Sequence, residues 1–74
     1  MRHHHVCVEV INKLDLKDDD SQLKESIIER CEDLFNNVIL KKYNVSKEDV
    51  TVETSNEYRI ESKDYVVTYT FIWN

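Results

Sequence analysis

Several acidic residues of this sequence are spaced so that their side chains could act together. Glu25, Glu29 and Asp33 follow one another every four residues, and Glu32 lies three residues after Glu29. On an α-helix these spacings put the carboxylates on one face, about 5–6 Å apart along the axis. This interval is comparable with that between phosphates along a nucleic-acid strand. Such a face could therefore occupy a cationic groove built for DNA or RNA.

Three aspartates precede this helix and extend the negative charge. We call the whole set the acidic ridge and predict that it binds a partner; its members are Asp18, Asp19, Asp20, Glu25, Glu29, Glu32 and Asp33. The alternative is an ordinary solvated helix face that Lys24 and Arg30 partly neutralise. Further acids, Glu53, Glu57 and Glu61, alternate along a later segment and could enlarge the negative surface.

A second candidate constellation lies at the N-terminus. His3, His5 and Cys7 would share one face of an extended strand, and imidazole and thiolate are good ligands for zinc or copper. No fourth ligand stands at a recognisable spacing, so we expect no functional metal site and a flexible segment over residues 1–5. A calcium loop around Asp15 lacks the glycine that its turn requires.

Catalytic patterns are missing. The sequence contains no glycine and no proline, which excludes glycine-rich phosphate loops, dinucleotide fingerprints and nucleophile elbows within these residues. Cys31 lies on an apolar stripe, where a packed thiol is expected rather than a nucleophile. We predict a protein that is not an enzyme and that uses no cofactor.

The charge balance indicates the class of partner. Lys and Arg number 10 against 15 Asp and Glu, which gives a formal net charge of −5. Such a chain repels nucleic acid and attracts basic proteins. The first residues lack the apolar core of a signal peptide, and no apolar run is long enough to span a bilayer. We therefore expect a cytoplasmic protein.

The elements that must hold the ridge follow the order strand, helix, strand, strand. A first strand is indicated by the alternation of Val6, Val8 and Val10. A long helix is predicted from about Ser21 to Tyr43, with a broad apolar stripe at helical spacing. Asn44 is predicted to end this helix in the left-handed conformation that glycine usually adopts.

The C-terminal half predicts a hairpin. A single capped turn is expected at residues 46–49, and even-numbered apolar residues after it indicate a strand from about 50 to 60. Odd-numbered apolar residues indicate a further strand: Tyr65, Val67, Tyr69, Phe71 and Trp73. Without glycine a two-residue turn is costly, so we expect a longer loop over Glu61 to Asp64. One face of a three-stranded, largely antiparallel sheet would pack on the helix, forming a two-layer α+β sandwich in a single domain.

The other face of this sheet is expected to be half apolar. Its members would be Val66, Thr68, Thr70 and Ile72, together with Cys7 and Ile11. An uncovered face of this kind in so small a chain favours a homodimer, by sheet stacking or edge pairing. The alternative is a monomer whose threonine-rich face is solvated.

The element order and the closing stretch Tyr65-Val66-Val67-Thr68-Tyr69-Thr70-Phe71 resemble the dodecins, small oligomeric flavin-storage proteins. The resemblance implies an oligomer that binds or stores a small ligand. Dodecins place a flavin-stacking tryptophan near the start of the second strand, where this chain reads Asp49-Val50-Thr51-Val52. Their flavin-contacting glutamine on the last strand has no counterpart here.

The acidic ridge is similar in kind to the DNA-mimic inhibitors that phages make against host nucleic-acid-binding proteins. We therefore expect an inhibitor of a basic nucleic-acid-binding protein, for example a host nucleoid-associated protein, that acts in the host cytoplasm or nucleoid. The alternative function is dodecin-like binding or storage of a flavin.

Overall fold

Three antiparallel strands form one sheet, with the last strand of the chain at its centre. The computed structural model describes residues 1–15 and 20–74 and gives β1 as His3–Asn12, β2 as Thr51–Arg59 and β3 as Asp64–Trp73. The strand order is β1-β3-β2, and β3 pairs antiparallel with both neighbours. The helical layer lies between β1 and β2 in the sequence, so the predicted β-α-β-β order and α+β class are confirmed.

The core forms where the odd-numbered side chains of β3 face the helical layer. Val67, Tyr69 and Phe71 are completely buried, and Trp73 is nearly so. The even-numbered residues between them are only half-buried, as the period of two in a strand requires. The parity predicted for β3 is confirmed. The other elements add three buried apolar side chains to this core: Ile11, Phe35 and Ile39.

In β1 the two faces are the reverse of the expected ones. Ile11 is buried and Cys7 packs against the core, so their predicted place on the uncovered face is wrong. The face turned away from the helix, which we call the far face, instead carries three side chains between 50% and 60% exposed: Val6, Val8 and Val10. Aliphatic residues occur at both parities of β1. The polar contacts that His5 and Glu9 make with the helical layer favour the observed choice.

One helical segment covers the sheet, and its geometry changes before its end. Helix α1 spans Asp20–Leu34, a π-helical turn spans Phe35–Ile39, and α2 spans Leu40–Lys42. The Leu40 N–H donates to the Phe35 carbonyl, five residues back, which is the bond that defines a π turn. The predicted extent of the helix is confirmed, whereas the π turn was not predicted. No helix in the described part of the chain is long and apolar enough to cross a membrane.

The π turn keeps the apolar stripe over the sheet. Along an α-helix each four-residue step passes a full turn by about 40°, so a stripe of residues four apart drifts around the helix. A π turn advances by a smaller angle per residue and offsets this drift. Ile39, the last residue of the turn, is completely buried, and Phe35 at its start is nearly so.

The helix ends through tertiary contacts and not through a left-handed cap. Tyr43 is extended, with φ −123° and ψ 147°. Asn44 does not have a positive φ; among the described residues Lys63 alone does, so the predicted cap at Asn44 is wrong. The ring of Tyr43 lies 4.7 Å from that of Trp73, and its hydroxyl is 2.8 Å from His5 Nδ1 in a hydrogen bond. These contacts hold Tyr43 against the sheet and stop the helix.

A four-residue turn, residues 60–63, joins β2 to β3. Lys63 has a φ of 54°, a conformation that costs a residue with a Cβ more than it costs glycine. Its carbonyl accepts the Lys13 N–H at 3.0 Å, which ties the turn to the end of β1. The expectation of a loop longer than two residues is confirmed, but the loop begins and ends one residue earlier than predicted, because Asp64 is already the first residue of β3.

An ion pair closes the base of this hairpin. Arg59 Nε donates to Asp64 Oδ1 at 2.8 Å, and Arg59 Nη2 donates to Oδ2 at 3.0 Å. The Ser62 hydroxyl also donates to Asp64 Oδ1, at 2.9 Å. The hydrogen bond from Arg59 is the main cause that lowers the pKa of the Asp64 carboxyl, although partial desolvation opposes it.

Lys63→Gly is expected to raise the free energy of unfolding by about 0.5–1 kcal/mol, because it relieves the left-handed strain and loses part of that gain to chain entropy. Lys63→Ala retains the strain and should stay near the wild-type stability. Urea unfolding followed by Trp73 fluorescence measures both variants. Equal stabilities for the glycine and alanine variants would contradict the strain.

Asp64→Asn is expected to remove a pH-dependent part of the stability. Because the folded pKa of Asp64 is lowered, its carboxylate stabilises the fold above the unfolded pKa of about 3.9. This contribution is lost as the pH falls through the folded pKa. Urea unfolding should show the variant to be less stable at about pH 7, with a smaller difference at about pH 2.5. Glu48→Gln, an exposed control, should show little difference at either pH.

Candidate protein-binding surface

The described carboxylates of the acidic ridge lie on the solvent side of α1. The side chains of Glu25, Glu29, Glu32 and Asp33 are all exposed, whereas the apolar stripe of the helix packs on the sheet. Helical periodicity therefore brings these carboxylates to one surface, as the sequence predicts. The remaining ridge members lie outside the described part of the chain, in full or in their side chains: Asp18, Asp19 and Asp20.

The arginine of α1 forms no ion pair with the described ridge carboxylates. Arg30 Nη1 lies 3.5 Å from Glu9 Oε2 on β1, and about a third of each side chain remains exposed. Among the described residues the ion pairs are Arg30 with Glu9 and Arg59 with Asp64, and neither includes a ridge carboxylate. Lys24, the other cation that could neutralise the ridge, is exposed. The described ridge carboxylates therefore present their charge to solvent.

An acidic hollow of about 460 Å³ lies beside α1 next to β1. Two ridge residues, Glu29 and Asp33, line it together with Glu9. The cation in its wall is Arg30, which Glu9 already engages. This side of the ridge is therefore concave as well as negative.

A second depression of about 330 Å³ lies between α1 and β2, and we call it the edge groove. Glu32 of the ridge and Lys47 are among its polar lining residues. Ile28, at its helical wall, is 53% exposed. The apolar lining residues are Ile27, Ile28, Cys31, Phe35, Val50 and Val52.

The edge groove exists because α1 is fastened over β1 and β3 and not over β2. Arg30 reaches Glu9 on β1, and the Tyr69 hydroxyl of β3 donates to the Ile27 carbonyl at 3.2 Å. On the helix side of β2, Thr54 is left exposed. This groove was not predicted from the sequence. Its one signal is an apolar stripe broad enough to include Ile28 on the flank of the acidic ridge.

The acids of β2 lie on the far face. Glu53 pairs in register with Thr70, and Glu57 with Val66, so both carboxylates point away from the helix. Both are exposed, and Glu61 is exposed in the turn. Glu53 and Glu57 place negative charge beside the β2 edge, and none of the three acids lengthens the ridge along α1.

Burial is the main cause that raises the pKa of both thiols. The negative charge of Glu9 raises the pKa of Cys7 further, and that of Glu32 raises the pKa of Cys31. Both side chains pack against the core and stay protonated near neutral pH, when a thiol is a poor nucleophile. Burial also raises the pKa of Tyr69 to about 12. These groups serve packing, and the Tyr69 hydroxyl serves the helix contact.

Two of the three histidines of β1, His3 and His5, contact aromatic rings. β1 starts at His3, inside the segment that the sequence predicts to be flexible. The His3 ring stacks on Trp73 with centroids 5.8 Å apart, and the His5 ring meets Tyr43 edge-on at 5.5 Å. Within the described ranges, no group of three or more His, Cys, Asp or Glu side chains is placed to hold a metal ion.

A comparison of the chain with protein families, with curated proteins and with solved structures finds no match. The resemblances to the dodecins and to DNA-mimic inhibitors gain no support from it and remain expectations.

Glu29→Lys is expected to stabilise the fold, because it turns the like-charge pairs with Glu25 and Asp33 into opposite-charge pairs. The gain in free energy of unfolding should be about 0.5–1.5 kcal/mol at low salt and smaller at high salt. Urea unfolding at two salt concentrations measures it. Glu61→Lys makes the same charge change in the exposed turn, and an equal gain there would show a net-charge effect and not a helix effect.

Proposed function

We propose that this protein is a non-enzymatic inhibitor that binds a basic nucleic-acid-binding protein by imitating the phosphates of DNA or RNA. The observation that supports this proposal is the exposed acidic ridge, whose described carboxylates form no ion pair with the cations of the described chain. The type of target that we propose is a nucleoid-associated protein. This protein would then be a phage-type inhibitor that acts in the host cytoplasm or nucleoid.

The spacing of the ridge suits a groove that is built for phosphates. The carboxylates of Glu25, Glu29 and Asp33, four residues apart on α1, are about 6 Å apart along the axis. A protein groove that binds nucleic acid carries Lys and Arg side chains, and filling it with carboxylates releases counterions as nucleic acid does. The net charge of −5 would also speed the encounter with a basic protein. Binding of this kind weakens steeply with salt.

The described part of the ridge is held in place by contacts within the chain. The Tyr69 hydroxyl donates a hydrogen bond to the Ile27 carbonyl of α1, and Arg30 pairs with Glu9. The side chain of Phe35, directly after α1, is buried in the core. Because the backbone that carries the carboxylates is fixed, less conformational entropy is lost on binding. This favours a function in which the row of charges acts as one unit.

We further propose that the protein acts as a homodimer through the part of its far face that β1 and β3 form. Val6, Val8 and Val10 are at least half exposed there. In the sheet register they lie beside Thr70, Thr68 and Val66 respectively. An apolar patch of this kind on a small chain favours self-association. A two-fold dimer would present two ridges and add avidity towards an oligomeric target.

Reversing Glu25, Glu29 and Asp33 to lysine is expected to abolish partner binding and to leave the fold intact, because all three side chains are exposed. Immobilised wild-type protein should capture a DNA- or RNA-binding protein from a bacterial lysate. A salt gradient should release it, duplex DNA should compete with it, and mass spectrometry identifies it. The triple variant should capture none.

The matched control reverses three other exposed acids, Glu48, Asp49 and Glu61, and so changes the net charge equally away from the ridge. It should retain the partner. Capture by the ridge variant, or equal loss in both variants, contradicts the proposal. If the wild-type protein captures no basic partner, the ridge is a solvated helix face, and titration with flavin then tests the dodecin-like alternative.

A further inference from the structure

The outer side of β2 is open to another strand. β3 pairs with β2 from Thr51 to Arg59, and no other described strand pairs with β2. An edge of this length carries unpaired backbone N–H and C=O groups, which an extended chain can bond by joining the sheet.

The two faces beside this edge differ in chemistry. On the helix side, Val52 and Thr54 line the edge groove opposite Ile28. On the far face, Glu53 and Glu57 are exposed carboxylates. In a strand added antiparallel to β2, residues opposite Val52 and Thr54 would face the groove, and residues opposite Glu53 and Glu57 would face the carboxylates.

The charges on this edge disfavour a second copy of the chain as its occupant. Two copies of β2 paired antiparallel about Ser55 would set Glu53 of one copy opposite Glu57 of the other. Like charges directly opposite each other destabilise a pair of strands. Arg59 does not relieve the repulsion, since its guanidinium is held by Asp64 in a bidentate pair. A strand that carries positive charge meets no such penalty.

We propose that the β2 edge and the edge groove bind an extended segment of a basic protein. In this segment, Lys or Arg residues four positions apart face Glu53 and Glu57, and an apolar residue between them faces the groove beside Thr54. The inference rests on the proposed function, because it names the segment that the basic partner presents. Glu32 belongs both to the acidic ridge and to the lining of the groove, so the two surfaces are continuous.

A short peptide tests the pattern directly. The peptide Lys-Thr-Thr-Val-Lys-Val-Thr places its lysines opposite Glu57 and Glu53 and its first valine opposite Thr54 when it pairs antiparallel with β2. The control Lys-Thr-Val-Lys-Thr-Val-Thr has the same composition. Its lysines, three positions apart, fall on opposite faces in every register. In titrations followed by amide NMR shifts, the first peptide should shift residues 51–59 and those of the edge groove, and it should bind more tightly than the control.

The protein variants test the same contacts from the other side. Replacing Glu53 and Glu57 together by glutamine should weaken binding of the first peptide roughly 2- to 30-fold, because two cross-strand charge pairs are lost. The pair Glu48→Gln and Glu61→Gln, also exposed, should leave that affinity unchanged. Equal binding of both peptides, or shifts confined to the acidic ridge, would show charge attraction alone and overturn the proposal.

The peptide and the lysate experiments separate the two proposals. Ridge-dependent capture of a basic protein, without peptide binding at β2, overturns the strand site and leaves the proposed function standing. Peptide binding at β2, without a basic partner in the lysate, supports the strand site and removes the support for inhibition.

Discussion

Burial of the odd-numbered side chains of β3 beneath the helical layer is the interaction on which the other elements depend. Val67, Tyr69 and Phe71 have no exposed surface, and both edge strands attach to the sheet only through this strand. A hydrogen bond from Tyr69 to the Ile27 carbonyl and the ion pair of Arg30 with Glu9 hold the helix over β3 and β1. One consequence is that the helix covers β2 only in part and leaves Thr54 exposed on the helix side of this strand. The edge groove is thus a result of how the core is built.

The exposed carboxylates of α1 follow from the same packing of the helix on the sheet. A helix that packs one side on a sheet leaves the other side to solvent, where charge costs little to keep. Spacings of four residues between like charges oppose helix formation, and the fold tolerates them because tertiary packing supplies most helix stability in proteins. The arginine that could have relieved this repulsion, Arg30, is turned towards Glu9 and joins helix to sheet. The charge pattern therefore keeps a row of exposed carboxylates on α1 and lowers the intrinsic stability of that helix.

The sequence was most informative where one parity of a segment was clearly different from the other. In β3 the aromatic residues fall on odd positions and the threonines on even ones, so its buried face was predictable. β1 has aliphatic residues at both parities, and only contacts from distant residues, such as that of His5 with Tyr43, decide between its faces. The ridge followed from periodicity alone. The π turn and the edge groove depend on where the helix lies over the sheet, which local pattern does not contain.

The pairing of the first strand with the last has a consequence for the order in which the chain can assemble. β2 and β3 are joined by a short turn and can meet quickly, whereas His3 must find Trp73 at the opposite end of the sequence. Non-local pairing of this kind is slow compared with hairpin closure. Until β1 pairs with it, the edge of β3 that faces away from β2 has no strand partner. This edge also lacks exposed carboxylates like those of Glu53 and Glu57 beside β2. Competition between β1 and neighbouring chains for that side of β3 would then limit how much protein folds correctly at high concentration.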